Sequence, residues 1–266
     1  MPEALTASPN TVADVYNEPA MEWILRTAGY HLHPRGEEAT VALADRAAHY
    51  RFPTGGLVLE IASALGAPAR YVSRRFGASV LCIDMDPRMH AAGRAAARAE
   101  GLALVCQQVL GRAERLPLAT ASCDAAWSQD AICHMDAAAV VAEVARVLKP
   151  GAIFAFTDWV ATSLTTDGDR KTLRELWAFP NMPALSEYVA ILDRSGFEVL
   201  LGEDRTAWAV GHGPRVPAAD QEIWLTGYTA RWGDDEVVRR TAPGEAWSEI
   251  VTGGRGGYAM FIARRL

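Results

Sequence analysis

The sequence predicts an α/β fold built on a mostly parallel, doubly wound sheet, and three observations carry that expectation. Short apolar runs rich in β-branched residues alternate along the chain with longer segments of helical period. The run "LVLEI" (57–61) enters the small-residue loop "EIASALG" (60–66), then "APARYVSRRF" has helical spacing, and "SVLCID" ends in an acid. That order is the outline of a nucleotide-binding βαβ unit. Finally, 266 residues of which 50% are hydrophobic can bury a full core in one domain.

Strands are expected at 57–61, 79–84, 102–107, 124–128, 152–157, 197–202 and 257–263. Between them, "APARYVSRRF", "PRMHAAGRAAARAEG", "MDAAAVVAEVARVLKPG" and "ALSEYVAILDRSGF" place apolar residues three and four apart and run into Gly, as helix C-termini often do. Ahead of the first strand, residues 11–50 predict one or two helices joined by the loop "GYHLHPRG". After the fifth strand, "VATSLTTDGDRKTLRELWAFPNMP" is too polar and irregular for sheet, and a lid over the strand ends is expected. Neither repeats nor low-complexity linkers divide the chain. One domain over 1–266 is therefore expected, with an N-terminal helical cap (1–50), a cofactor-side half (51–158) and a lid and substrate-side half (159–266).

Composition excludes several classes of function. A formal net charge of -6 with no basic stripe argues against a nucleic-acid partner, because phosphate backbones are bound through clustered Lys and Arg. The first twenty residues lack the charged start and apolar core of a secretory signal, and no apolar run is long enough to span a bilayer, so a cytoplasmic protein without a membrane partner is expected. Cys82, Cys106, Cys123 and Cys133 form no C-x-x-C pair and sit in apolar stretches, which predicts buried thiols and no metal site.

Doubly wound sheets bind ligands outside the carboxyl ends of their strands, where strand order reverses. The strand ends here carry Glu60 and its loop, Asp84 in "CIDMDP", "GRAERLP", "WSQDAICHM" and "FTDW". An acid about twenty residues beyond the first loop can accept both hydrogen bonds of a ribose diol, and Asp84 stands there. Asp86 with Pro87 can instead cap the next helix.

As an ordered set, these segments resemble the class I S-adenosylmethionine-dependent methyltransferases over nearly the whole chain. The branch they are most similar to contains sarcosine and dimethylglycine methyltransferases and the tocopherol and sterol type enzymes. "LGAPARYVSRRFGASVLCIDMDP" is similar to its first loop and second strand, "WSQDAICHM" and "VARVLKPGAIFAFTD" to its fourth and fifth strands, and "HLHPRGEEAT" to its N-terminal loop. The resemblance implies a Rossmann-like sheet of seven strands with the last antiparallel, S-adenosylmethionine as cofactor, and a small-molecule substrate. It implies that Glu60, Ala62, Ala64 and Gly66 face the methionine part of the cofactor and Asp84 its ribose. Met85 would pack on the adenine, with Arg112 and Ala113 beside it, Ser128 and Gln129 would approach the methionine end, and Tyr16 would close over the site. His134 would stand near the transferred methyl as the candidate base. His33, Asp158, Trp159 and Trp177 are the candidate substrate contacts, and the tryptophans of the second half suggest an aromatic-lined pocket.

Two positions depart from the family pattern. Ala64 occupies the middle glycine of the loop; alanine at positive φ is strained, so negative φ or a slight retreat of the loop is expected. Arg112 stands where the family has an adenine-binding Asp. A guanidinium has no acceptor, and Glu114 is the nearest replacement. These departures motivate two further readings: a methyltransferase-like enzyme that now catalyses a cyclisation, hydrolysis or other rearrangement, and a non-catalytic binding protein.

Overall fold

A computed structural model describes residues 31–210, 226, 229, 230, 233 and 244–266. Tyr16, the first expected helix, Trp224 and Trp232 lie outside the described residues. The strands are β1 (Leu57–Ile61), β2 (Ser79–Asp84), β3 (Cys106–Leu110), β4 (Cys123–Gln129), β5 (Leu148–Ala161), β6 (Phe197–Asp204) and β7 (Gly256–Arg265), joined in one sheet in the order β3-β2-β1-β4-β5-β7-β6. The β1, β2, β3, β4 and β5 pairings are parallel, and β7 runs antiparallel to both β5 and β6, as the resemblance implied. Strand order reverses between β1 and β4. The cleft opens there.

Alternation along the strands supplies both faces of the sheet with apolar side chains. On one face Leu59, Ile61, Phe154 and Phe156 pack against Val140 and Val144 of α4 (Ala137–Val147) and Tyr188 and Leu192 of α6 (Leu185–Arg194). On the other, Val58, Val80, Trp127 and Ile153 pack against Leu43 and Ala47 of α1 (Glu37–His49) and Val72 and Phe76 of α2 (Ala67–Phe76). Each such buried aliphatic or aromatic side chain contributes roughly 1.5–3 kcal/mol.

Local signals set the helix starts. Asp86 caps α3 (Pro87–Ala99) by accepting the Arg88 amide at 2.7 Å, and Pro87 opens the helix with its φ already set. Asp136 caps α4 through the Ala138 and Ala139 amides, and a Thr166–Asp169 capping box starts α5 (Asp167–Trp177).

Two expected boundaries are corrected. The third strand starts at Cys106 rather than Leu102, because the Leu102 amide still bonds Ala97 at the end of α3 and Val105 closes a turn onto Leu102. The fifth strand continues to Ala161, so its last residues belong to the sheet rather than the lid: β7 provides a partner for each, pairing Trp159 with Tyr258 and Ala161 with Gly256. Among the described residues no helix is long and apolar enough to cross a membrane.

Candidate functional site

A cavity of about 750 Å³ lies above the carboxyl ends of β1, β2 and β4. Its walls include the loop after β1, Asp84, Met85, Arg112 to Glu114, Gln129, Asp130, His134 and Trp177.

The loop after β1 overturns the expectation for its alanines. Ala62 and Ala64 both adopt the left-handed conformation, with φ of 49° and 45°. Each costs about 1–2 kcal/mol relative to ordinary backbone. The offset is local: the Ser63 amide donates to the Ile83 carbonyl at 3.0 Å, and the Ala64 amide to Asp84 Oδ2 at 2.8 Å. Asp84 Oδ1 takes the Asp86 amide at 2.9 Å, so this carboxylate ties the loop to the end of β2. Burial raises its pKa and these backbone donors pull it back. Gly66, at φ 64°, begins α2, and a Cβ there would come within 2.9 Å of Gln108 Nε2. Only glycine suits that point.

Glu60 is buried on the wall of the cavity, and its Oε2 has no hydrogen-bond partner among the described residues. Desolvation pushes its pKa up to about 8, although Arg70 opposes the shift. Arg70 is itself committed to Glu100 at 2.7 Å and to the Leu65 carbonyl at 2.6 Å.

At the opposite end of this half, Met85 is 46% exposed and offers an apolar surface. Arg112 and Glu114 both line the wall and form a loose ion pair of 3.6 Å, with the arginine largely in solvent. The expected replacement acceptor is therefore in the cavity, turned partly toward its neighbour.

Gln129 is fixed from the N-terminal side. Its Oε1 accepts from Thr40 Oγ1 at 2.9 Å and Trp127 Nε1 at 3.1 Å, while Thr40 Oγ1 lies 2.7 Å from His31 Nδ1 and 3.0 Å from His33 Nε2. Burial lowers the pKa of His33 to about 3 and of His31 to about 4, so both imidazoles are neutral parts of this network. His33 also lines the cavity.

Beyond β4, Ile132–His134 form a 3-10 turn that brings His134 to the cavity, edge-on to Phe179 at 4.8 Å. Its surroundings lower its pKa to about 4, chiefly by desolvation, with a backbone hydrogen bond at Trp177 opposing. An imidazole of that pKa accepts a hydrogen bond well and a proton poorly at neutral pH.

Asp130 also lines the cavity. It holds φ at 54°, and its Oδ1 accepts from Tyr258 at 2.7 Å and Thr157 at 2.8 Å. Its Oδ2 has no hydrogen-bond partner among the described residues, and burial brings its pKa up to about 7. Sequence reasoning passed over Asp130, although it stands in the quoted "WSQDAICHM". Its partner Tyr258 is 128 residues away, and nothing in the sequence signals that pairing.

Of the candidate substrate contacts, His33 and Trp177 reach the cavity, and Asp158 and Trp159 are not among its lining residues. Asp158 is fully buried and accepts the Tyr188 hydroxyl at 2.5 Å. Trp159, on β5, packs edge-on against Trp247 and against Tyr258 of β7. Ser128 and Gly66 lie behind the wall, Ser128 fully buried at the end of β4. The four cysteines are free and buried, and the described residues contain no cluster able to hold a metal ion.

Residues 59–156 match a family described as Methyltransferase domain. The chain is 31% identical over 192 residues to a dimethylglycine N-methyltransferase of Parasynechococcus marenigrum (strain WH8102), covering 70% of this chain and 69% of that protein. It spans 60–69% of the length of three curated relatives that it matches. Among solved structures, a candidate sarcosine dimethylglycine methyltransferase from Galdieria sulphuraria superposes with a TM-score of 0.80 at 21% identity, over 94% of this chain and 98% of that one. The [4+2]-cyclase SpnF superposes with a TM-score of 0.74 at 21% identity, over 97% of both chains. These two superpositions establish the shared fold.

Proposed function

This chain belongs to the S-adenosylmethionine-dependent methyltransferases, and from that premise we propose that it transfers a methyl group to a small-molecule acceptor. The observation that carries the reading is one continuous cavity joining the loop after β1 and Asp84 to His134 and Trp177. Its volume lies within the usual range of small-molecule pockets.

The residues present fit the cofactor. Glu60, buried with an unpaired oxygen, would take the cofactor's ammonium group; Asp84, which keeps lone pairs beyond those used by the loop, would take its ribose diol; Met85 and Ala113 would flank its adenine. Glu114 supplies the acceptor that Arg112 lacks. Gln129, held by Thr40 and Trp127, would complete the methionine end. When bound, S-adenosylmethionine supplies a methyl group whose bonding pair to sulfur stays with sulfur, so the acceptor gains one positive charge. The chain's own part is alignment and exclusion of water, since holding the reacting atoms in line accounts for much of the rate. His134 would donate or accept a hydrogen bond at the acceptor end, with Trp177 on the wall and Phe179 packed against the imidazole. We further place the enzyme in the cytoplasm, without a nucleic-acid partner.

A rearrangement in place of methyl transfer is not favoured. The likeness to the cyclase is one of fold, whereas the relatives that share sequence are methyltransferases. The left-handed alanines also leave the cavity open. Calorimetry with S-adenosylhomocysteine, combined with mass spectrometry of any nucleoside that copurifies, tests the reading. Micromolar binding is expected, and no heat with no thermal shift at millimolar ligand would overturn it.

A further inference from the structure

The end of the cavity beyond β4 has an unusual charge balance. Among the described residues, the two arginines that line the cavity are Arg88 and Arg112, 46% and 63% exposed, both on the adenine side and held to Asp86 and Glu114. Around Asp130 the facing groups are Tyr258 on β7, Thr157 and Asp158 on β5, and Cys133 on the turn after β4, with Tyr188 of α6 behind Asp158 and His134 at the end of the same turn. None of these carries a positive charge at neutral pH: His134 is held neutral by its burial. An anionic acceptor is disfavoured there, and an ammonium is favoured.

Asp130 lies on the cavity wall and carries a buried carboxylate oxygen with no partner among the described residues. Two hydroxyl donors converge on Oδ1 and fix the carboxylate, while Oδ2 is left unpaired, and a non-glycine residue is kept at positive φ to hold the side chain there. Strained backbone of this kind is retained where surrounding structure enforces it, often at ligand sites.

Resting on the methyltransferase reading, we propose that Asp130 is a catalytic residue facing the acceptor, and that the acceptor is a small amine. The amine arrives protonated. Its N–H bond breaks, the proton goes to Oδ2 of Asp130, and the lone pair so freed is the nucleophile. After transfer the nitrogen is cationic again, Asp130 gives its proton to solvent, and the carboxylate faces the alkylammonium product. With a proton affinity near neutrality, Asp130 is matched to this exchange, and His134 is not. Trp177 is also on the wall, and an indole is the aromatic ring that attracts a cation most strongly.

The test uses the full chain saturated with S-adenosylhomocysteine and two probes of equal shape, choline and its neutral carbon analogue 3,3-dimethylbutan-1-ol. Calorimetry should show choline bound at least tenfold more tightly, with proton release near pH 7 when two buffers of different ionisation enthalpy are compared. Asp130→Asn should remove both the preference and the proton release while S-adenosylhomocysteine binds within about twofold of the parent. Tyr258→Phe, which withdraws one donor from Oδ1, should move the midpoint of proton release about one unit toward higher pH. Equal affinity for the two probes, binding of neither, or a preference that survives Asp130→Asn overturns the role of Asp130. Failure of S-adenosylhomocysteine to bind the parent protein strikes the methyltransferase reading instead.

Discussion

The Asp84 carboxylate accepts the amide of Ala64 at 2.8 Å and so holds an alanine in the left-handed conformation that a glycine normally occupies. One side chain thus links the two strand ends that form the floor of the cofactor half.

Replacing Asp84 with Asn leaves one acceptor oxygen for two backbone donors, Ala64 and Asp86, and turns an NH2 group toward one of them. A buried donor without a partner costs about 1–3 kcal/mol. Urea denaturation should show a loss of that size, and calorimetry should show S-adenosylhomocysteine binding weakened at least tenfold. Retention of both stability and affinity would contradict the bracing role.

Ala64→Gly removes the steric penalty of φ 45° and adds some freedom to the unfolded chain. The two effects partly cancel. A net gain of about 0.5–1 kcal/mol in stability is expected, read as a higher melting temperature, together with unchanged or tighter cofactor binding. A destabilised variant would mean that the alanine methyl packs usefully.

Arg112→Asp removes the partner that draws Glu114 aside and places a second acceptor on the adenine wall. Because Arg112 is mostly solvent-exposed, stability should change little. Affinity for S-adenosylhomocysteine should rise two- to tenfold, whereas a fall would show that the guanidinium itself contacts the nucleoside.

Buried groups give the ligand-free protein a defined pH response. Glu60 holds its proton to about 8 in the folded chain against 4.5 as an ordinary carboxyl, and Asp130 to about 7 against 3.8. Such groups contribute stability that is complete below the unfolded value and is lost as pH rises through the folded value. His31, His33 and His134, held neutral, act in the opposite sense, losing their contribution as pH falls below 6.5. Between pH 6.5 and 8 the histidine effect fades as the unfolded imidazoles lose their last protons while the larger carboxyl effect continues, so unfolding free energy should fall by roughly 1–2 kcal/mol. Glu60→Gln should flatten that slope in denaturant titrations at successive pH values.

The boundaries of β1, β2 and α2 were legible because each is a short apolar run or stripe closed by a local signal: the small-residue loop, Asp84, and Gly77 in the left-handed conformation. The third strand begins later than its composition suggests, because Leu102 to Val105 are strand-like in composition yet finish the turn after α3, where the Leu102 amide bonds Ala97 and the Val105 amide bonds Leu102. The extension of β5 depended on β7, which lies about a hundred residues later in the chain and pairs with Trp159 to Ala161. Propensity over a short window carries no information about that partner.

By itself the sequence determined the layer architecture, the location of the cleft at the ends of β1, β2 and β4, and the residue types available there, since these follow from periodicity and from chain order. Tertiary structure alone decided what each group does. It set Ala62 and Ala64 at positive φ, sealed Asp158 beneath Tyr188, kept His134 neutral, and joined Asp130 to Tyr258. Burial and long-range hydrogen bonds fix the charge state and orientation of a side chain, and both depend on partners brought near only when the sheet closes.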